Sequence, residues 1–370
     1  MKALFTALQA GNLSGTGVYA ARLASRLAVL AEHADVAVAW PESLPLPPLR
    51  VGAADTFLRR PASTPRARIL YEQWGFRRDV RRLGIDIVHY PASVGSFFSP
   101  RPMVVTVHDL TFLHNPSWYR YERAHYYRMA VAFSAPRATR IIAVSQATAN
   151  EVANLLRIPP ERIDVIHNGV DERYRPCNEE LIAAARAKYQ LPKRYFLFVG
   201  TIEPRKNVAR LVRAWSQIAD SVEEDLVIAG RDGWKVGPIY QEVARSKHQD
   251  RIVFPGFIDD EHLPAVMSGA TALAYPSLYE GFGLPVLEAM ACGVPVLTSN
   301  VSSLPEVAGD AALLVDPTDV DALVHGLRRL AGEQELRDDL TKKGLERARQ
   351  FSWTRAATET LACYRKALEG

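Results

Sequence analysis

Short apolar runs rich in β-branched residues recur along the chain, spaced so that one helix fits between most neighbours. Val36-Ala37-Val38, Ile85–Tyr90, Met103–His108, Arg140–Val144 and Ile163–His167 form a first series, preceded by the apolar start Met1–Leu8. Tyr195–Gly200, Asp225–Gly230, Arg251–Phe254, Ala272–Tyr275 and Val294–Leu297 form a second. Such runs are continuous rather than alternating, which predicts strands buried on both faces, as in parallel sheets. Amphipathic stretches lie between many of them, for example Gly17 to Leu30 and Val208 to Ala219. The repetition predicts the α/β class, and two series predict two doubly wound, Rossmann-like domains. Turn signals at Asn168-Gly169 and Arg175-Pro176 place the boundary between Asn168 and Pro192, giving domains at 1–172 and 190–352. Ser352 can cap a last helix from Trp353 to about Leu368. Its apolar positions belong to no alternating unit, so residues 353–370 are expected to cross back to the N-terminal domain.

Composition adds exclusions. The chain has 370 residues, 48% hydrophobic and 23% charged, which suits two folded domains and excludes a disordered chain. No apolar run reaches the roughly 18 residues of a membrane span. Met1–Leu8 is short for a signal peptide and runs into a glycine loop, so it reads as a first strand. Cys177, Cys292 and Cys363 are odd in number and far apart, which argues against a disulfide framework or zinc site and fits a reducing compartment.

The net charge of +4 is unevenly spread. Residues 1–172 carry 20 basic and 14 acidic side chains, and the remainder 25 and 27. The densest basic stretch is Arg59-Arg60, Arg66, Arg68, Arg77-Arg78 and Arg81-Arg82, interleaved with Tyr71, Trp74 and Phe76; Trp118–Arg123 repeats the mixture. One reading is a solvated helix face. The other is a surface for anionic partners, either lipid head groups or a pyrophosphate-linked acceptor. No nucleic-acid motif accompanies the charge.

In doubly wound sheets ligands bind beyond the carboxyl ends of the strands, and with two facing domains that means the cleft. Three loops stand there. Gly11–Val18 follows the first strand and opens a helix, where glycines let backbone amides approach an anion. It matches neither the Walker A loop nor the dinucleotide fingerprint. Gly200-Thr201-Ile202-Glu203-Pro204-Arg205-Lys206-Asn207 places two adjacent cations before a helix, as a diphosphate site would. In Glu280-Gly281-Phe282-Gly283-Leu284-Pro285-Val286-Leu287-Glu288, Pro285 suits a first helical turn and the glycines bare the preceding amides. Glu288 then lies one turn into an apolar helix and needs a partner, for which sugar or ribose hydroxyls are suited.

Two glutamates with seven residues between them, set in E-G-F-G-L-P-V-L-E-A-M-A-C-G-V-P-V, resemble the retaining family 4 glycosyltransferases of GT-B fold. The E-P-R-K-N loop, the S-G-T-G loop, Asn168-Gly169-Val170-Asp171 and the last helix agree. The resemblance implies two Rossmann-like domains facing across a cleft and a set of roles. Arg205 and Lys206 would hold the donor diphosphate, and Glu288 the ribose hydroxyls. Glu280 and the amides of Phe282, Gly283 and Leu284 would hold the transferred sugar. Gly15 and Gly17 would approach the diphosphate. Gly256-Phe257-Ile258 would meet the base through its backbone, Gly230 and Arg231 would line that pocket, and His108 would stand beside the sugar.

Breaking a glycosyl–diphosphate bond builds negative charge on the leaving phosphate, which fixed cations and helix amides stabilise. The family reading of retention is same-face attack, with the departing phosphate taking the acceptor's proton. No metal is expected, because the two cations supply the positive charge, and the sole DxD triplet, Asp319-Val320-Asp321, reads as a helix start. The look of the chain resembles bacterial mannosyltransferases of polysaccharide assembly, implying GDP-mannose as donor. It implies a saccharide or polyprenyl-diphosphate-linked acceptor, no nucleic acid, and a cytoplasmic enzyme peripheral to the inner face of a membrane. UDP-sugar donors, an inverting enzyme using Asp109 or His108 as base, a sugar-nucleotide epimerase and a sugar-nucleotide sensor stay open as alternatives.

Overall fold

The computed structural model describes residues 1–12, 15–30, 35–47, 56–61, 64–99, 102–119 and 121–369. Leu13 and Ser14 of the early glycine loop and Arg120 of the second basic stretch lie outside the described residues. The chain divides into two compact units, Met1–Gly169 with Ser352–Gly370, and Val170–Phe351.

The first unit runs β1 (Lys2–Thr6), α1 (Gly15–Leu30), β2 (Asp35–Pro41), β3 (Phe57–Arg60), α2 (Pro65–Leu70), a π-turn (Tyr71–Gly75) and α3 (Phe76–Leu83). It continues with β4 (Ile87–Tyr90), β5 (Met103–Val107), α4 (Thr111–His114), α5 (Tyr121–Ser134), β6 (Arg140–Ala143), α6 (Gln146–Leu156) and β7 (Ile163–Val165). The sheet order is β3-β2-β1-β4-β5-β6-β7, parallel throughout. The order reverses between β1 and β4, which is where an open parallel sheet forms a crevice. β3 was not expected. It is an edge strand, and Arg59 and Arg60 hide its apolar character. Arg60 is not part of a solvated basic face either. Its guanidinium holds Asp79 at 2.7 and 2.5 Å, and Tyr71 donates to the same carboxylate at 2.7 Å.

The second unit runs α7 (Glu179–Tyr189), β8 (Tyr195–Val199), α8 (Val208–Ser216), β9 (Asp225–Ala229), α9 (Gly237–Arg245), β10 (Ile252–Gly256), α10 (Leu263–Ser268) and β11 (Ala272–Tyr275). Then come α11 (Leu284–Ala291), β12 (Val296–Ser299), α12 (Leu304–Ala308), β13 (Leu313–Val315), α13 (Val320–Gly332) and α14 (Gln334–Ala348). Its sheet, β10-β9-β8-β11-β12-β13, is also parallel, and its order reverses between β8 and β11. Phe196, Phe198, Trp215 and Tyr275 are fully buried in its core. The segment read as a linker holds α7: Asn178 caps it by accepting from Leu181 N–H at 3.0 Å, and Ile182 and Ala185 are buried. β13 was missed because three residues carry too little pattern.

The last helix, α15 (Trp353–Glu369), belongs to the first unit. Ser352 Oγ accepts from Arg355 N–H at 3.1 Å, and Trp353, Ala357, Leu361, Tyr364 and Ala367 form the buried stripe. The chain returns so close to Gly169 that a Cβ there would lie 2.1 Å from Trp353 N. Beneath the helix runs a buried polar chain. Tyr364 Oη and His89 Nδ1 are 2.7 Å apart, His89 Nε2 and Thr106 Oγ1 2.7 Å, and Thr106 Oγ1 and Tyr19 Oη 2.9 Å. Burial drives the His89 imidazole down to about 3, so it is neutral.

Tyr364→Phe leaves a buried ring nitrogen unpaired and should cost about 1–3 kcal/mol in urea unfolding. The same imidazole sets an acid dependence. The unfolded chain protonates at the ordinary value of 6.5 and the folded chain only near 3. This share of the stability is complete above the higher value and falls as the pH drops towards the lower one.

Candidate active site

In the second unit the chemistry gathers where the strand order reverses. β8, β9 and β10 end in glycine backbone. Gly200 N–H donates to Ala229 O at 3.0 Å and Gly230 N–H to Gly256 O at 2.8 Å. Gly230 has φ 150°, and a Cβ on it would sit 1.9 Å from Gly200 O. A side chain at Gly230 is therefore excluded. Arg231 lies beyond it, its guanidinium 4.4 Å over the Phe257 ring, while Ile258 is buried beside them in sequence.

After β8 the chain makes a tight turn through Pro204–Lys206. Asn207, at φ 61°, pins that turn by donating from its side chain to Pro276 O at 3.0 Å and Pro317 O at 2.6 Å. The loop after β11 is tied to the same turn, because Leu278 N–H donates to Arg205 O at 2.8 Å. Ser302 and Ser303 hold the other side of that loop. Glu280 N–H donates to Ser302 Oγ at 3.0 Å, and Ser303 Oγ lies 2.9 Å from Glu280 O and 2.8 Å from Phe282 O. Gly283 caps α11 with φ 113° and no capping side chain, leaving the Leu284 end of the helix bare.

Held this way, four charges meet. Glu280 Oε1 accepts from Lys206 Nζ at 2.7 Å and from Tyr275 Oη at 3.0 Å, and Oε2 lies 2.8 Å from Arg205 Nη1. Lys206 Nζ also donates to Tyr275 Oη. Arg205 donates through Nε and Nη2 to Glu203 Oε1, at 3.0 and 2.8 Å. Glu203, Lys206 and Glu280 are all buried. Burial alone would raise the Glu280 carboxyl, but the Arg205 and Lys206 charges overcome this and hold it at about 2. Burial lowers the Lys206 ammonium, with Glu280 opposing the shift.

The expectation set Arg205 and Lys206 on a diphosphate and Glu280 on sugar hydroxyls. The structure places all three in one ion-paired cluster, with Phe282, Gly283 and Leu284 at the adjoining helix start. Glu288 stands apart from it, half-buried on α11. Burial pushes its carboxyl up to about 7, moderated by a hydrogen bond from Tyr174 and by the Arg173 charge. Sequence reasoning missed Glu203 as an anchor, although it had E-P-R-K in view. It also missed Tyr275, Tyr174, Ser302 and Ser303, whose parts depend on which strands are neighbours.

In the first unit, Gly15 opens α1 and is exposed, whereas Gly17 is buried. A Cβ on Gly17 would sit 1.8 Å from Asn12 O, so this glycine lets the helix close onto the loop after β1. His108 follows β5. Its Nε2 lies 2.7 Å from Pro91 O, and because a carbonyl only accepts, Nε2 carries the proton and Nδ1 keeps a lone pair. Tyr19 packs edge-on against the ring at 4.8 Å. Burial lowers this imidazole too, despite the Pro91 hydrogen bond. Asp109 Oδ1 accepts from Thr111 N–H at 3.1 Å.

Among the described residues, the group with metal-ligand spacing is Asp259, Glu261 and His262. Both carboxylates are exposed, and Asp259 is bonded to Lys188 and Tyr189, each at 3.0 Å. Asp319 of the DxD triplet caps α13, accepting from Asp321 N–H at 2.9 Å and Ala322 N–H at 3.0 Å.

Two doubly wound units, the second with a buried Lys206 and an uncapped helix start at its switch point, have the architecture of the GT-B fold. The family description Glycosyltransferase Family 4 matches residues 13–174, and Glycosyl transferases group 1 matches residues 182–347. The O-antigen chain mannosyltransferase B of Escherichia coli is 33% identical over 374 residues, covering 95% of this chain and 96% of its own. The chain belongs to the family 4 glycosyltransferases and is a glycosyltransferase. Among solved structures, sucrose-phosphate synthase from Thermosynechococcus elongatus superposes with a TM-score of 0.75 at 22% identity, covering 99% of each chain. Anabaena HepE in complex with UDP and glucose gives 0.73 at 18% identity, covering 98% of this chain and 99% of its own. Among the described residues no helix is long and apolar enough to cross a membrane.

Gly230→Ala meets both a forbidden backbone conformation and the Gly200 carbonyl, and should cost more than about 1 kcal/mol in urea unfolding. Gly237→Ala, where a Cβ meets nothing within 4 Å, is the matched control and should stay within about 0.5 kcal/mol.

Proposed function

We infer that the enzyme transfers mannose from GDP-mannose, with retention of configuration, to a saccharide or a polyprenyl-diphosphate-linked saccharide during polysaccharide assembly. The observation that carries this reading is the Glu280–Lys206 pair at the start of α11. Two Lys206 N–H groups are engaged by Glu280 and Tyr275, and the third can meet the leaving diphosphate together with the Gly283 and Leu284 amides at the start of α11. The Lys206 ammonium thus gives the leaving group a charged donor from the chain itself, and magnesium is not required in this reading. Both Glu280 oxygens are tied to cations, which makes the carboxylate a poor nucleophile and suits it to orienting sugar hydroxyls. That favours same-face attack, with the departing phosphate as proton acceptor. His108 offers the Nδ1 lone pair to a sugar hydroxyl. The relative named as a mannosyltransferase supports the choice of sugar.

The acceptor side is proposed to work at the cytoplasmic face of an anionic membrane. Leu70, Trp74, Phe98, Tyr126, Met129 and Phe133 are exposed on α2, the π-turn, α5 and the loop after β4. Phe97 joins the last two elements by packing against Phe133 at 4.8 Å. Arg77 lies 5.3 Å over Trp74 and Arg137 3.6 Å over Phe133, so cations border the apolar strip. Aliphatic Leu70 and Met129 suit lipid better than sugar stacking.

Thermal melts with GDP, UDP and ADP test the donor. A ligand at 100 times its dissociation constant adds about 2.7 kcal/mol. GDP alone should stabilise the wild type, and Glu288→Ala should abolish the shift; a shift with UDP alone would move the donor to UDP-sugars. Because an ionised carboxylate accepts from both ribose hydroxyls, affinity should rise as the pH passes upward through about 7, and Glu288→Gln should flatten that rise. Product anomeric configuration, read by NMR, should match the donor, and a glycosyl adduct on Glu280 would overturn the mechanism. Wild type should co-sediment with phosphatidylglycerol-containing vesicles at low ionic strength, and Met129→Glu with Phe133→Glu should not. Absence of wild-type binding would sink the membrane reading.

A further inference from the structure

We propose that Glu203 is a positioning residue. It holds the Arg205 guanidinium on Glu280 and off the donor diphosphate, so that Lys206 is the side-chain cation that meets the phosphates. This rests on the reading above that the cluster binds a nucleoside diphosphate.

A guanidinium has five N–H groups in a fixed fork. Two of those on Arg205, on Nε and Nη2, converge on Glu203 Oε1 at 3.0 and 2.8 Å. Nη1 donates to Tyr279 O at 2.7 Å and faces Glu280 Oε2 at 2.8 Å. The group is thus held on both edges by buried acceptors. At least four of its five N–H groups are engaged, and a planar fork clamped on both edges cannot turn towards an incoming phosphate without breaking those bonds. Lys206 is engaged through two of its three N–H groups, by Tyr275 and Glu280, and its compact ammonium can present the third to a phosphate with both bonds kept.

Charge counting points the same way. Glu203, Arg205, Lys206 and Glu280 sum to zero. Without the Glu203 charge the cluster would carry one net positive charge, and the two bonds from Arg205 would no longer be charge-assisted. The loosened fork is then drawn towards a bound diphosphate, and Glu280 is left with a weaker hold on its second oxygen. Glu203 therefore trades donor affinity for a fixed Glu280. Its removal should lower turnover without weakening binding, whereas a residue that merely supports the fold would weaken both.

The test is Glu203→Gln, which keeps the shape and removes the charge. The nucleoside diphosphate that binds wild type best is titrated calorimetrically, and transfer is followed with its sugar donor. The dissociation constant should stay level or fall, the donor KM should not rise, and kcat should drop at least about tenfold. An unchanged kcat, or a dissociation constant more than about threefold weaker, overturns the proposal. A second measurement does not depend on the variant folding. In a crystal of wild type with that nucleoside diphosphate, Arg205 should remain on Glu203 and Glu280, with Lys206 on the phosphates. A guanidinium found within about 3.2 Å of a phosphate oxygen overturns it equally. The donor reading stands or falls on whether wild type binds a nucleoside diphosphate and which one. The role of Glu203 is read from the variant and from the position of Arg205, so the two failures are distinct.

Discussion

An ionised carboxylate is tolerated in a protein interior only when cations and hydrogen-bond donors enter with it, and Glu280 brings two cations and a tyrosine. Much of the second unit's local geometry follows from that requirement. Lys206 and Arg205 must reach Glu280 from the turn after β8, so the turn is pinned by Asn207 to the loops after β11 and β13. The Glu280 backbone must stay still, so Ser302 and Ser303 clamp its amide and carbonyl. The result is a patch of balanced charge beside a helix start without a side-chain cap.

The glycine edge is the complementary device. Bringing the ends of β8, β9 and β10 together through backbone alone requires positions without side chains. Gly230 meets this need against Gly200, just as Gly17 lets α1 close on the loop after β1 in the first unit. Phosphate sites built from amides need such close approach. Here the backbone conformations that only glycine adopts easily are paid for by contacts on either side.

Both sheets, and most of their strands, were legible because a parallel strand buried on both faces writes a continuous apolar run, and helices between strands write a different period. The failures have separate causes. β3 carries two arginines, one of them turned inward to Asp79, a partner distant in sequence; β13 is three residues long and writes too little pattern; and α7 is masked by the turn signals around it. Candidate site residues were legible where a motif concentrates them, as in Glu280 to Glu288. Tyr275, Ser302 and Ser303 were not singled out, because nothing in their own neighbourhoods distinguishes them from ordinary loop and strand-end residues; Glu203 lies inside the E-P-R-K-N motif, but only its cations were given a role.

By itself, then, the sequence determined the class of fold, the number of sheets, and the loops that carry charge and glycine at strand ends. Those features are local, since hydrophobic period and turn chemistry are set by near neighbours. Tertiary structure alone decided the partnerships. Lys206 meets Glu280 across 74 positions and His89 meets Tyr364 across 275, because β8 lies beside β11 and α15 packs on the first sheet. Strand order is a property of the folded sheet, and with it come the neutral imidazole beneath α15, the carboxylate held near 2, and the guanidinium held between two glutamates.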